Sequence, residues 1–328
     1  MAAFSVYSYS KLGMKYPDRG GAAKFLLEEF GDGLLAGGMN VFQYIGWIIA
    51  MALYATGFAE YACQLLGKSS SGWLGKAISI GIVIVVVAIN IMGSKQVARA
   101  QMAIIAFELL ILLSFVAVGL TKLHVPTITS SNSGNIVGIL SAAGLLYVTY
   151  EGFGVVTNAA GSMVNPKKQL PQALFFSLGI VMVIYIVASV VVMMTLGVQC
   201  AVANQGHVLA TAGKLVLGNW GLFITSLIVC IFVVIFPLSA VGEMASLAFL
   251  LVYAMVNLGH LRIAGQTGAK RWILICSVVL NLALFIQTIL NHETLTWISV
   301  IALLIISFLV ELAWRKKNKR NLHWLGKK

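Results

Sequence analysis

Residues 145–171 read LLYVTYEGFGVVTNAAGSMVNPKKQLP. An apolar helical stretch is interrupted by Tyr150, Glu151, Gly152, Phe153 and Gly154, then resumes until Asn165 and Pro166 end it. Two glycines in three residues weaken a helix by about 1 kcal/mol each relative to alanine. An acid at membrane depth costs a few kcal/mol more. In lipid, unwound backbone survives only where it lines a cavity or is buried in protein. Two readings of these residues stay open. Either the helix is broken, with half-helix ends turned toward a polar site, or the glycines let neighbouring helices approach closely.

The rest of the chain shows that membrane depth is the relevant setting. Of 328 residues, 60% are hydrophobic and 10% charged, and the mean hydropathy is +0.95. A soluble domain is about 25% charged. From Gln169 to Gly213 there is no Lys, Arg, Asp or Glu. A spanning helix needs roughly 20 apolar residues, and breaks at charges, prolines and Gly/Ser/Asn stretches leave nine such spans. They run Leu34–Leu66, Leu74–Met92, Met102–Leu120, Ile136–Met163, Leu174–Leu196, Leu215–Phe236, Leu238–Leu258, Trp272–Leu290 and Leu295–Trp314. All five prolines fall at span ends or between spans, as helix breakers should. The fold class is therefore an all-α polytopic membrane protein, with Met1–Ser10 as a half-length helical stub.

The net charge of +12 would suggest nucleic acid in a soluble protein. Here the basic residues sit between spans, where they orient helices, so nucleic acid is not expected as a partner. Counting Lys and Arg places Lys11–Lys24, Ser94–Gln101 and Asn165–Gln169 in the cytoplasm and Thr127–Asn135 outside. The Gly259–Arg271 connection and the tail Arg315–Lys328 are also basic and belong inside. Yet two spans separate Gly259–Arg271 from the outer connection at Lys214. The parity fails unless one span does not cross or a segment between them is missing.

Residues 145–171 resemble the sixth helix and following loop of the amino acid–polyamine–organocation permeases, a pattern of Tyr-Glu-Gly-Phe, then Ala-rich residues, then Asn-Pro-Lys-Lys and a helix-opening proline. Met1–Phe25 resembles the end of that family's second helix, with its loop carried by Tyr16, Pro17, Gly20 and Gly21. Ala240–Ile263 resembles its tenth helix. The resemblance implies two inverted repeats of five helices plus appended ones. It implies that Tyr150, Glu151, Gly152, Phe153 and Gly154 form a substrate-binding break, with Phe153 or Tyr150 as an aromatic lid and Glu151 tying the unwound backbone to a neighbour. Within that frame residues 1–14 are the remnant of a spanning helix, 15–314 the permease domain and 315–328 a basic cytoplasmic tail.

The sequence also departs from the family. Nothing matches its first helix, and a span resembling the eighth, Leu215–Phe236, runs through Pro237 almost directly into the tenth. Loss of a ninth helix would produce the parity failure found from the lysine count, so the inverted-repeat fold is expected to be incomplete. Some proton-coupled relatives carry a lysine in the fifth helix; Ala106–Leu113 offers Glu108 instead. Glu108 is a candidate proton carrier if burial raises its pKa, against the alternative of a packed carboxylate. Coupling to H+ or Na+ is left open.

No enzyme constellation is present. His124, His207, His260, His292 and His323 read as connection or tail residues without metal-ligand spacing. Cys63, Cys200, Cys230 and Cys276 form no paired motif; a Cys63–Cys200 disulfide is weighed against two inert thiols. Glu311 and Arg315 form an i,i+4 pair, and Arg315–Arg320 reads as a solvated anchor facing anionic lipid. The expectation is a multi-pass permease of the cytoplasmic membrane with its carboxy terminus inside. It would carry an amino acid or related amine by alternating access, without cofactor or metal. The alternative is a truncated remnant that does not transport.

Overall fold

The computed structural model describes residues 1–70, 72–91, 94–121, 136–150, 152–196, 239–291 and 294–326. Every regular element among them is helical. In chain order these are α1 (Ala2–Lys15), α2 (Gly21–Phe30), α3 (Leu34–Leu65), α4 (Trp73–Ile91), α5 (Ser94–Thr121), α6 (Ile136–Leu146), a 3₁₀ turn at Tyr147–Tyr150, α7 (Gly152–Asn158), a second 3₁₀ turn at Ala160–Ser162, α8 (Pro166–Leu196), α9 (Ser239–Thr267), α10 (Arg271–Asn291) and α11 (Thr294–Lys317). Six of the described helices are long and apolar enough to cross a membrane. Their outer faces carry large apolar side chains such as Phe176, Val183, Ile186 and Ile305, all exposed. A water-soluble protein does not tolerate so much contiguous apolar surface; a lipid-facing one requires it.

The described parts of the expected spans fall on these helices, with Ile136–Met163 divided among α6, α7 and the two 3₁₀ turns, and two helix ends differ. The helix that starts at Pro166 takes in Pro171, which the sequence reading places before the span. Pro166 occupies the first helical position, where a missing N–H costs nothing. The Asn165 carbonyl accepts from Lys168 and Gln169 N–H at 3.2 and 2.9 Å, opening the helix early. At the other end, α9 runs nine residues past Leu258 and closes at Gly268, whose φ of +64° suits a glycine terminator. His260 is therefore a buried helix residue and not, as expected, a connection residue. The span Leu215–Phe236, with Pro237 and Lys214, lies outside the described residues.

The chain divides into two compact units. One comprises Met1–Ile49, Gly134–Ile180 and Ala240–Lys328. In it α10 packs along α6 and α1, while α7 packs on α1 and α2. Its core is α9, whose residues from Ala245 to Leu250 are all buried. The other unit comprises Ala50–Ser133 and Val181–Ser239. There α4 packs on α5, and Phe115 and Val191 form a small core with Val116, Val118 and Val192 around them.

Candidate functional site

The helix that resembles the family's sixth is broken. Regular α-helix ends at Leu146, a single 3₁₀ turn covers Tyr147–Tyr150, and α7 starts at Gly152. Such a turn inside a spanning helix marks a hinge or a functional distortion. The unwinding falls one turn earlier than the sequence reading places it, because Gly152, Phe153 and Gly154 already belong to α7. Thr149 turns its hydroxyl back on the Leu146 carbonyl at 2.6 Å, and Thr157 does the same to Gly154 at 2.6 Å. These threonines satisfy acceptors that a continuous helix would leave to main-chain N–H groups.

The residues expected at the site separate into different surroundings. Phe153 is buried, stacked on Tyr253 with centroids 4.8 Å apart and edge-on to Tyr9 at 5.2 Å. It is part of an aromatic core that also takes in Phe25, Tyr147, Phe249 and Trp47. Gly154 is buried against Tyr253: a Cβ there would stand 3.2 Å from the tyrosine oxygen. Gly152 is exposed, and a Cβ on it would meet nothing within 4 Å among the described residues. Close packing thus accounts for one glycine and not for the other. Tyr150 is half-buried at the end of the 3₁₀ turn. Glu151 lies outside the described residues. Glu108 falls within α5, but its side chain lies outside what is described, as does that of Glu243.

Beside the break lies a buried polar cluster that the sequence reading missed. Tyr147 donates to Ser5 Oγ at 3.1 Å. Ser277 Oγ stands 3.1 Å from the same oxygen. The amides of Asn257 and Asn281 reach it at 3.4 and 3.2 Å. Both amides are also pinned by carbonyls one turn back, Asn257 to Tyr253 and Asn281 to Ser277, at 2.6 and 2.7 Å. Their Oδ1 atoms, and the hydroxyl of Tyr9, are buried without a hydrogen-bond partner among the described residues. A serine hydroxyl has one proton and two lone pairs, so Ser5 cannot serve all four neighbours at once. The signal for this cluster was spacing: Ser277 with Asn281 and Tyr253 with Asn257 sit one helical turn apart inside apolar runs.

A second polar chain runs from Ser8 Oγ to His260 Nδ1 and from His260 Nε2 to Thr267 Oγ1, each at 2.7 Å. Thr267 donates to the Ala264 carbonyl at 3.1 Å, so it accepts from Nε2–H, and Nδ1 takes the proton of Ser8. The ring is held as the neutral Nε2–H tautomer. Nearby, Tyr16 reaches Gln266 Oε1 at 3.3 Å. Burial, and then the Glu28 and Glu29 carboxylates, raise its phenol above the ordinary value, which keeps it a neutral donor.

Of the remaining candidates, Glu311 is buried and bound to Arg315, as expected for an i,i+4 pair. Arg315 itself departs from the reading of the tail as a solvated anchor. It is 1% exposed and also bound to the Asp32 carboxylate, while Lys316, Lys317, Lys319 and Arg320 are exposed. Cys63 and Cys276 form no disulfide among the described residues; Cys200 and Cys230 lie outside them, as do His124, His207 and His292.

The chain belongs to the amino acid permease family, whose pattern it matches over residues 1–327. It is 28% identical to an uncharacterized protein of Methanocaldococcus jannaschii, over 97% of this chain and 86% of that one. It is 24% identical to the inner membrane transport protein YbaT of Escherichia coli, over 97% and 87%. With the serine/threonine exchanger SteT of Bacillus subtilis the identity is 29%, over 94% and 72%. The first two alignments run over 375 and 374 positions, more than the 328 residues here. Those relatives thus carry residues within the matched region that have no counterpart in this chain. The protein is a multi-pass membrane protein of a family that transports amino acids or related compounds, and not an enzyme.

Proposed function

We propose that this chain is a secondary transporter of an amino acid or related amine, working by alternating access with its substrate site at the break between α6 and α7. The observation that carries the reading is the 3₁₀ turn at Tyr147–Tyr150 followed by an exposed Gly152 with open space beside it. A helix interrupted in this way has main-chain N–H and C=O groups without intrahelical partners, which can meet the charged ends of an amino acid. With Phe153 packed in the core, Tyr150 is the ring placed at the break to close over a ligand. Glu151 and Glu108 remain the acids assigned to tying the unwound backbone and to carrying a proton; coupling to H+ or to Na+ fits the chemistry. Among the described residues, those hydrogen-bonded around Ser5 (Tyr147, Asn257, Ser277 and Asn281) are all neutral, which favours a substrate with a neutral side chain.

The carboxy-terminal segment is assigned to the cytoplasm. Lysine counting puts both Lys11–Lys24 and Arg315–Lys328 inside, and residues 323–326 bond to residues 30–35, which supports one common side. A second reading, a truncated, transport-inactive remnant with only a structural role or none, is favoured by the alignment lengths and by the failed parity around Lys214. Purified protein in liposomes, tested for binding and uptake of neutral amino acids, cationic amino acids and polyamines, tests both. Uptake against a gradient is expected of the transporter, and no uptake of the remnant. Absence of both binding and uptake would overturn the site.

A further inference from the structure

The segment after α11 is folded and tied down. The chain turns at Lys319, where φ is 51°. The carbonyls of His323 and Trp324 then accept from Leu34 and Leu35 N–H at 2.9 and 3.0 Å, and Gly326 N–H donates to the Phe30 carbonyl at 3.1 Å. The Leu34 and Leu35 groups are among the orphan donors that open α3. Trp324 stacks on Phe308 with centroids 5.3 Å apart. Gly31 and Gly326 approach so closely that a Cβ on Gly31 would come within 2.6 Å of the Gly326 oxygen. Arg315 pins the turn from within by donating to the carbonyls of Asp32 and Asn321 at 3.3 and 3.0 Å.

Held this way, the segment offers Lys316, Lys317, Lys319 and Arg320 to solvent. They stand among Trp314, Leu322, Trp324 and Leu325, exposed by 57, 51, 56 and 41%. Residues 312–326 contain no Asp or Glu. The span in α11 ends at Lys317, so the patch sits where hydrocarbon gives way to headgroups. Tryptophan with Lys and Arg is the composition that suits that boundary, and a juxtamembrane cluster of four cations attracts anionic lipid. A soluble acidic partner would match the charge but leave the flanking Trp and Leu side chains in water.

We propose that residues 314–326 form a pre-folded binding surface for anionic phospholipid headgroups. Because the clasp closes on residues 30–35, lipid held there also braces the connection between α2 and α3. The test is lipid selectivity of the full chain in mixed micelles of phosphatidylglycerol and phosphatidylcholine, read by native mass spectrometry. The wild type should retain phosphatidylglycerol preferentially. Each cation near an anionic surface is worth about a five-fold preference. Joint replacement Lys316→Gln, Lys317→Gln, Lys319→Gln and Arg320→Gln, all at exposed positions, should therefore lower the preference at least five-fold. Lys167→Gln with Lys168→Gln, which removes two exposed cations away from the clasp, should lower it clearly less. Gly31→Val, which opens the clasp but keeps the four cations, should also lower it. An unchanged preference in the fourfold variant, or an equal loss in the Lys167 and Lys168 control, would overturn the proposal. Full preference in Gly31→Val would overturn the part played by the fold. None of these readings depends on transport.

Discussion

The packing of Gly154 on Tyr253 allows a quantitative test of how the broken helix is held. A Cβ at Gly154 would lie 3.2 Å from the Tyr253 hydroxyl oxygen but 3.8 Å from the nearest ring carbon. The first contact is too tight and the second is ordinary. Overpacking a buried site costs about 1–3 kcal/mol, while alanine in place of glycine within a helix gains about 1 kcal/mol. Gly154→Ala should therefore lower stability by about 1 kcal/mol in the presence of Tyr253. In a Tyr253→Phe background the oxygen is gone, only the helical gain remains, and the same substitution should be neutral or stabilising. The coupling between the two sites is then about 1–2 kcal/mol, and each kcal/mol moves the unfolding midpoint by roughly 2–4 °C. Thermal unfolding of the four proteins in detergent reads it directly, and the propensity gain cancels in the cycle. Additive midpoints would refute the contact and with it the packing of α7 against α9.

Other expectations follow from the buried polar groups. Ser5→Ala removes the oxygen on which Tyr147, Asn257 and Asn281 converge. Both amides keep their bonds to the Tyr253 and Ser277 carbonyls, so each lost bond should cost about 0.5–1.5 kcal/mol and the midpoint should fall by a few degrees; an unchanged midpoint would contradict the cluster. Arg315→Ala strands Glu311 in a buried position, and breaking a buried pair in this way costs about 3–5 kcal/mol. Lys24→Ala, which removes a part-exposed pair with Glu28 at 2.7 Å, should cost less than about 0.5 kcal/mol. Equal losses in unfolding experiments would show that burial does not govern these pairs.

The described spanning helices were legible in the sequence because apolar runs act locally; the glycines pointed to a break at Tyr150–Gly154, but the 3₁₀ turn falls one turn earlier, at Tyr147–Tyr150. Gln169–Gly213 without a charge, and Tyr150–Gly154 with two glycines and an acid, need no partner to be read. The end of α9 was not legible: Gly259, His260 and Arg262 look like a connection until Ser8 and Thr267 supply partners for the imidazole. Arg315 looked like one of several tail cations because the residues that bury it, Asp32 and Asn321, are distant or follow a turn. The cluster around Ser5 was missed for the same reason. A serine in an apolar run is unremarkable alone, and its meaning comes from three other helical segments that converge on it.

The most direct test of the central claim uses Gly152→Pro. As the first residue of α7, Gly152 occupies a position where proline is tolerated, with open space around it. In an unbroken spanning helix the same change would cost about 3 kcal/mol or more. The measurement is amino-acid binding to the purified variant, together with its unfolding midpoint. An unchanged midpoint with binding lost is the predicted result, because the backbone N–H presented at the break is gone while the fold is kept. Undiminished binding, or a large fall in the midpoint, would contradict a substrate site at a broken helix.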